Sequence, residues 1–182
     1  MPLLIELPRA RVPGNIGTGT RAVGVKANRG LGAGTHLARK AMIRMLDHTA
    51  DVGFEVAEAP RLEDLFDEAR QALLMTVFEE PPEGGEYEDS VRLSAPDLET
   101  LLVRRINELV FLVQGDGFVP AGADLRIEEA GEEGFSLEAR LTGAPLDLEG
   151  YGWQGEIKSA TFHGLEVTHG SLGWRAQMIL DV

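Results

Sequence analysis

The sequence predicts an α+β fold, a two-layer domain of mostly antiparallel strands with two amphipathic helices. Three observations carry this expectation. Two stretches, residues 62–77 and 98–113, place apolar residues at helical spacing, and several shorter stretches alternate apolar with polar residues. Two of the separators between the later stretches, residues 131–134 and 169–173, are short enough for hairpin loops, so the strands they join are expected to run antiparallel.

In chain order, Val52, Phe54 and Val56 alternate with Gly53, Glu55 and Ala57, the period-2 pattern of a half-buried strand. Leu62, Leu65, Phe66, Ala69, Leu73 and Val77 then share one helical face, with Glu63, Asp64, Asp67, Glu68 and Arg70 on the other. The acids crowd the first turns, which suits the positive end of the helix dipole. Pro81-Pro82 requires the helix to stop, and residues 83–88 read as an exposed turn. A short strand is expected around Ser90 to Ser94. There, Ser94-Ala95-Pro96-Asp97 predicts an N-cap Ser followed by an early Pro and an acid three residues on. The second helix gathers Leu98, Leu101, Leu102, Ile106, Leu109, Val110 and Val113 on one face and ends at Gly115 or Gly117. Strands follow at Leu125 and Ile127, from Phe135 to Leu141, from Glu156 to Phe162, from Leu165 to Thr168 and from Trp174 to Leu180. Residues 131–134 and 169–173 read as hairpin loops.

Charge divides the chain. The whole has 17 Lys/Arg against 30 Asp/Glu and a net charge of −13, but residues 1–44 carry eight basic residues and one acid, Glu6. Residues 45–182 carry nine basic and 29 acidic residues, a net of −20. We therefore expect two parts: a basic, Gly-rich leader over 1–44, disordered or upstream of a native start at Met42 or Met45, and a folded domain over 45–182. A segment of −20 repels nucleic-acid phosphates, whose binding needs Lys/Arg to displace counterions, so direct nucleic-acid binding is not expected. A basic protein surface suits it better, although the acids also serve solubility alone. The longest apolar run in the leader, Leu3-Leu4-Ile5, is too short for a signal core or a membrane span. With no cysteine there is no disulfide, thiolate-bound metal or Cys nucleophile, which fits a cytoplasmic protein. The spacing of Gly30, Gly32 and Gly34 fails as a dinucleotide loop, and no Gly-x-Ser-x-Gly, His-Glu-x-x-His or phosphate loop is present.

The candidate site joins the two ends of the domain. Asp47-His48-Thr49-Ala50-Asp51 stands just before the first alternating strand, and Asp181-Val182 closes the last. A sheet can bring those termini together, and the α-carboxylate of Val182 would add a further charge. Oxygen ligands of this kind select a hard divalent cation, Ca²⁺ or Mg²⁺, with Mn²⁺ as the outside choice. The plain alternative is that both Asp residues are turn or cap residues. His48 reads either as a ligand or proton carrier or as a structural hydrogen-bonder, and His163 is similar. Lys158, the only Lys after position 44, lies within a predicted strand. It is poised to meet an anion or to hold a carboxylate, unless it is simply a solvated strand residue.

The same residues carry a resemblance. Asp47 to Gly53 opening the domain, Asn107-Glu108-Leu109 in the second helix, Glu156-Ile157-Lys158 with Ala160-Thr161-Phe162-His163, and the Trp174 to Val182 ending together resemble the archease family. The resemblance covers Met45 to Val182, and the opening heptad and terminal Asp-Val are its specific parts. It implies an accessory protein that is not itself an enzyme: a cofactor of the RtcB-type RNA ligase, which acts in tRNA splicing and RNA repair. Such a cofactor promotes guanylylation of the ligase by GTP with divalent metal and allows multiple turnover, reaching GTP only through the ligase and needing no membrane. The family's metal-binding positions map onto Asp51, Asp181 and Val182 and its required Lys onto Lys158, with Asp47 and His48 as supporting neighbours. In two places the chain departs from the family. Arg105 replaces a frequent Trp, which implies altered packing at a surface. Gly143-Ala144 replaces Gly-Glu, which removes a carboxylate near the site. Two rival readings are a metal-dependent phosphohydrolase using the same carboxylates and a chaperone-like modulator of a tRNA methyltransferase.

Overall fold

The computed structural model describes residues 41–47 and 52–182. The expectations placed on the leader up to residue 40, and on His48 and Asp51, lie outside the described residues. Eight strands and two α-helices follow in the order β1 (Met42–Asp47), β2 (Val52–Ala59), α1 (Leu62–Val77), β3 (Tyr87–Ala95), α2 (Leu98–Val110), β4 (Phe118–Glu129), β5 (Phe135–Pro145), β6 (Ser159–Ala160), β7 (Glu166–Gly170) and β8 (Gly173–Asp181). A π-turn over Phe111–Gly115 extends α2.

The strands form two sheets, and every strand pair is antiparallel. In the five-stranded sheet β8 is central: β2 and then β1 lie on one side of it, while β7 and β6 share its other edge. The second sheet has the order β3-β5-β4. Helix α1 packs on β2 and also reaches β1, β8 and β4, and α2 packs on β3 and β5 and reaches β6 and β7. The alternation read from the sequence matches this layering. Leu137, Ala139 and Leu141 of β5 and Ala176, Met178 and Leu180 of β8 are buried. Each fully buried Leu or Phe on the helices, such as Leu65, Phe66, Leu73, Leu101 and Leu109, contributes about 2 kcal/mol by leaving water.

Four local expectations are corrected. Strand β1 carries no clear alternation, yet it pairs with β2 from Met42↔Ala57 to Asp47↔Val52. Arg44 and Arg175 flank the Glu55 carboxylate at 3.6 and 2.8 Å, tying β1 and β8 to β2 across one face. The cap of α2 is Asp97, not Ser94: Ser94 still pairs with Ser136 in the sheet, and the Asp97 side chain accepts the Thr100 N–H at 2.6 Å. Strand β4 begins at Phe118, ahead of Leu125, because a bulge between Val119 and Gly122 accommodates Pro120. The carbonyls of Pro120 and Ala121 accept from Arg70 Nη1 at 2.9 and 2.8 Å. His169 is not in a loop but in β7 opposite Trp174, their rings 4.6 Å apart.

Arg105 departs furthest from expectation. It lies in the core, fully buried, and its Nε, Nη1 and Nη2 have no hydrogen-bond partner among the described residues. Burial, and next the nearby Arg70 charge, lower its pKa to about 10.

Candidate functional site

The site is built on the end of β8 and the segment before β6. The sequence suggests a strand from Glu156 to Phe162, but only Ser159 and Ala160 are ladder residues, opposite Asp181 and Leu180. The rest of the segment is held by side chains in place of a neighbouring strand. The Gln114 amide bonds Ile157 in both directions: its Nε2 donates to the Ile157 carbonyl at 2.6 Å and its Oε1 accepts the Ile157 N–H at 3.0 Å. Asn107 Oδ1 accepts the Ala160 N–H at 2.7 Å. From the other side, Lys158 N–H donates to the Asp181 carbonyl at 2.8 Å and Thr161 N–H to the Ile179 carbonyl at 3.1 Å. The segment buries Ile157 and Ala160 and leaves Lys158 exposed between them.

This clamp places one cation beside the last two residues. Lys158 Nζ donates to the Val182 main-chain oxygen at 2.7 Å and stands 3.9 Å from Asp181 Oδ1. The side chains of Lys158 and Asp181 are 63% and 51% exposed. At that exposure the longer contact adds little stability, and both groups are open to a partner.

Lys158, Asp181 and Val182, three positions singled out from sequence, therefore meet. Asp47 ends β1 opposite Val52, and Val52 is itself opposite Leu180, so the strand ends around the motif gather at one end of the sheet. His163 does not join them; it is exposed, in the turn closed by the Leu165 N–H to Phe162 carbonyl bond. Ala144 lies in the other sheet, opposite Val119. Gly53, within the opening motif, has a packing reason: a Cβ there would stand 2.8 Å from the Met178 carbonyl oxygen on β8.

A divalent cation at this end of the sheet would find oxygen donors alone, from the Asp181 carboxylate and Val182, which is the chemistry of a hard ion. Among the described residues no three His, Cys, Asp or Glu side chains converge to hold one. Sequence reasoning singled out Asn107 only as part of a motif and passed over Gln114 entirely. The signal for Asn107 was an amide on the buried face of α2; Gln114 gave none, because the π-turn shifts the helical phase.

Among the described residues, no helix is long and apolar enough to cross a membrane. The model of the Archease protein family (MTH1598/TM1083) matches residues 44–182. The chain is 33% identical over 139 residues to the protein archease of Methanosarcina barkeri, covering 75% of this chain and 93% of the relative. It is 31% identical over 137 residues to that of Pyrobaculum islandicum, covering 75% and 92%. The solution structure of Methanobacterium thermoautotrophicum protein 1598 superposes with a TM-score of 0.58 at 25% identity, covering 77% of this chain and 98% of the other. The family match, the likeness of fold and the motif residues gathered around Lys158 agree: the chain belongs to the archease family.

Proposed function

We propose that this protein is a non-catalytic cofactor of an RtcB-type RNA ligase in tRNA splicing and RNA repair, promoting guanylylation of the ligase by GTP and its multiple turnover. The observation that carries the reading is the meeting of Lys158, Asp181 and Val182 on one exposed strand end, in a chain of the archease family. The absence of a paired nucleophile and base from the sequence motifs suits an accessory role.

In this reading Asp51, Asp181 and Val182 would hold a divalent cation, Ca²⁺ or Mg²⁺ or else Mn²⁺, with Val182 offering its main-chain oxygen. When bound, the ion supplies positive charge toward phosphate oxygens, which gather negative charge during nucleotidyl transfer. The chain's own residues do the positioning. Gln114 and Asn107 fix the segment that carries Lys158, and Lys158 offsets one unit of negative charge beside Asp181 and orients the Val182 oxygen. Supplying carboxylates and one ammonium rather than a basic surface, the protein works on RNA ends without holding RNA.

The test is multiple-turnover ligation by the RtcB-type ligase of the same cell, with and without this protein. Stimulation by the wild-type chain that is lost in Asp181→Ala supports the reading. A ligase that turns over equally well without the protein refutes it.

A further inference from the structure

Phe111 is an aromatic side chain that the fold holds out in solvent. It is 55% exposed, yet its ring has a seat: a Cβ on Gly115 would meet ring atoms Cδ2 and Cε2 at 3.0 Å, so the ring rests on bare backbone. The turn that presents it is widened, with the Asp116 N–H reaching the Phe111 carbonyl at 3.1 Å. Such π-turns are frequent at functional positions. This one turns Gln114 toward Ile157 and leaves Phe111 outside.

Phe111, Val110, Asn107, Gln114, Ser159 and Lys158 line a groove of about 460 Å³. Lys158, on its wall, is the residue that bonds Val182, whose side chain is itself 40% exposed. Phe162, on the same clamped segment, is 59% exposed. Fixed aromatic anchors beside charged groups are the usual composition of a binding hot spot. Among the described residues, the one charged side chain lining the groove is Lys158, and the partner class follows from the charge of the domain as a whole. Residues 45–182 carry a net −20, which disfavours phosphate backbones and a second copy of this chain and favours a basic protein surface.

We propose that this groove is the docking point for a basic protein surface. An apolar side chain of the partner lodges between Phe111, Val110 and the Lys158 stem, and the partner's flanking Lys or Arg residues face the acidic surface of the domain beyond the groove. The inference rests on the ligase reading and deepens it: the groove grips the ligase, and the end of β8 acts at its nucleotide site.

The test is calorimetric binding of the full chain to the RtcB-type ligase of the same cell at two ionic strengths, with circular dichroism of each variant. Phe111→Ser removes the ring from an exposed position and is expected to raise Kd by about ten-fold or more, as for a hot-spot aromatic. The half-activating concentration should rise by the same factor. Gly115→Ala, which unseats the ring while keeping it, should raise Kd less but measurably. Wild-type binding should weaken as salt rises. An unchanged Kd in both folded variants overturns the groove, and a salt-insensitive Kd overturns the basic partner. A wild-type chain that neither binds nor stimulates the ligase overturns the ligase reading itself and this inference with it.

Discussion

Lys158 and Val182 are joined by a 2.7 Å hydrogen bond from the Lys ammonium to the Val main-chain oxygen, although 24 residues separate them in sequence. Neither group is needed to hold the core, since Lys158 and Val182 are both exposed. We therefore predict a separation of activity from stability. Lys158→Met, Asp181→Ala and a C-terminal tag should each remove most ligase stimulation while changing unfolding free energy by less than about 0.5 kcal/mol, as for surface substitutions. Ligation assays and urea titrations measure the two quantities. Full stimulation by all three would sink the proposed site.

The clamp behind Lys158 should behave in the opposite way. Gln114→Leu removes both partners of the Ile157 main chain, and Asn107→Leu removes the acceptor of the Ala160 N–H. Leaving such buried groups unpaired costs about 1–3 kcal/mol, so both variants should lose stability and stimulation together. Amide hydrogen exchange supplies the local readout, with protection falling first at Ile157 and Ala160. Unaltered exchange there would show that the β8 backbone alone holds the segment.

These two classes of residue also show what the sequence could reveal. The buried faces of α1 and of β5 and β8 follow from periodicity, because burial of alternate or every third to fourth residue leaves a direct trace in residue type. Lys158 is visible because it is the only Lys after position 44, and Asp181 because it closes the last strand in the Asp-Val ending that carries the resemblance. Gln114 was invisible because its role depends on a π-turn that breaks the 3.6-residue phase, and β1 because an edge strand with Met42 and Met45 exposed has no alternation to read. Ser94 misled because its spacing to Pro96 and Asp97 suits a cap, whereas pairing of β3 with β5 through Ala95↔Phe135 keeps it in the sheet.

Arg105 gives the clearest stability prediction. Its guanidinium is fully buried with no hydrogen-bond partner among the described residues and lies near Arg70, whose charge adds to the cost of its own. Asp67 and Glu108 oppose that cost only in part, and Asp67 is already bonded by Arg70 at 2.7 Å. Arg105→Met keeps the volume and removes the charge, so it should stabilise the domain by about 2 kcal/mol, within the range for replaced buried ions. The sign with pH agrees. With a pKa lowered to about 10 in the fold, well below that of an unfolded arginine, the unfolded state binds more protons above pH 10, so wild-type stability rises with pH there. The variant should lack the rise. Denaturant midpoints at pH 9 and 11 decide it, and a less stable Arg105→Met would show that the charge is compensated.

Asp97 should produce a dependence of the same sign, stability rising with pH, but in the acid range. Hydrogen bonds from Thr100, side chain first and main chain second, lower its carboxyl pKa below 3.8. A depressed acid stabilises the fold above its unfolded pKa and ceases to do so as pH falls through its folded value. Asp97→Ala should therefore cost about 1 kcal/mol at neutral pH, the usual worth of an N-cap, and progressively less below pH 3.8. Because Asp97 is exposed, salt should trim the effect without abolishing it. Asp97→Asn separates the two contributions, since its amide oxygen can still accept the Thr100 N–H while carrying no charge. That variant should keep most of the neutral-pH stability and show no acid dependence from this position. Thermal melts from pH 2.5 to 7 would expose a failure: equal loss at every pH in Asp97→Ala would mean that the carboxylate charge contributes nothing to the cap.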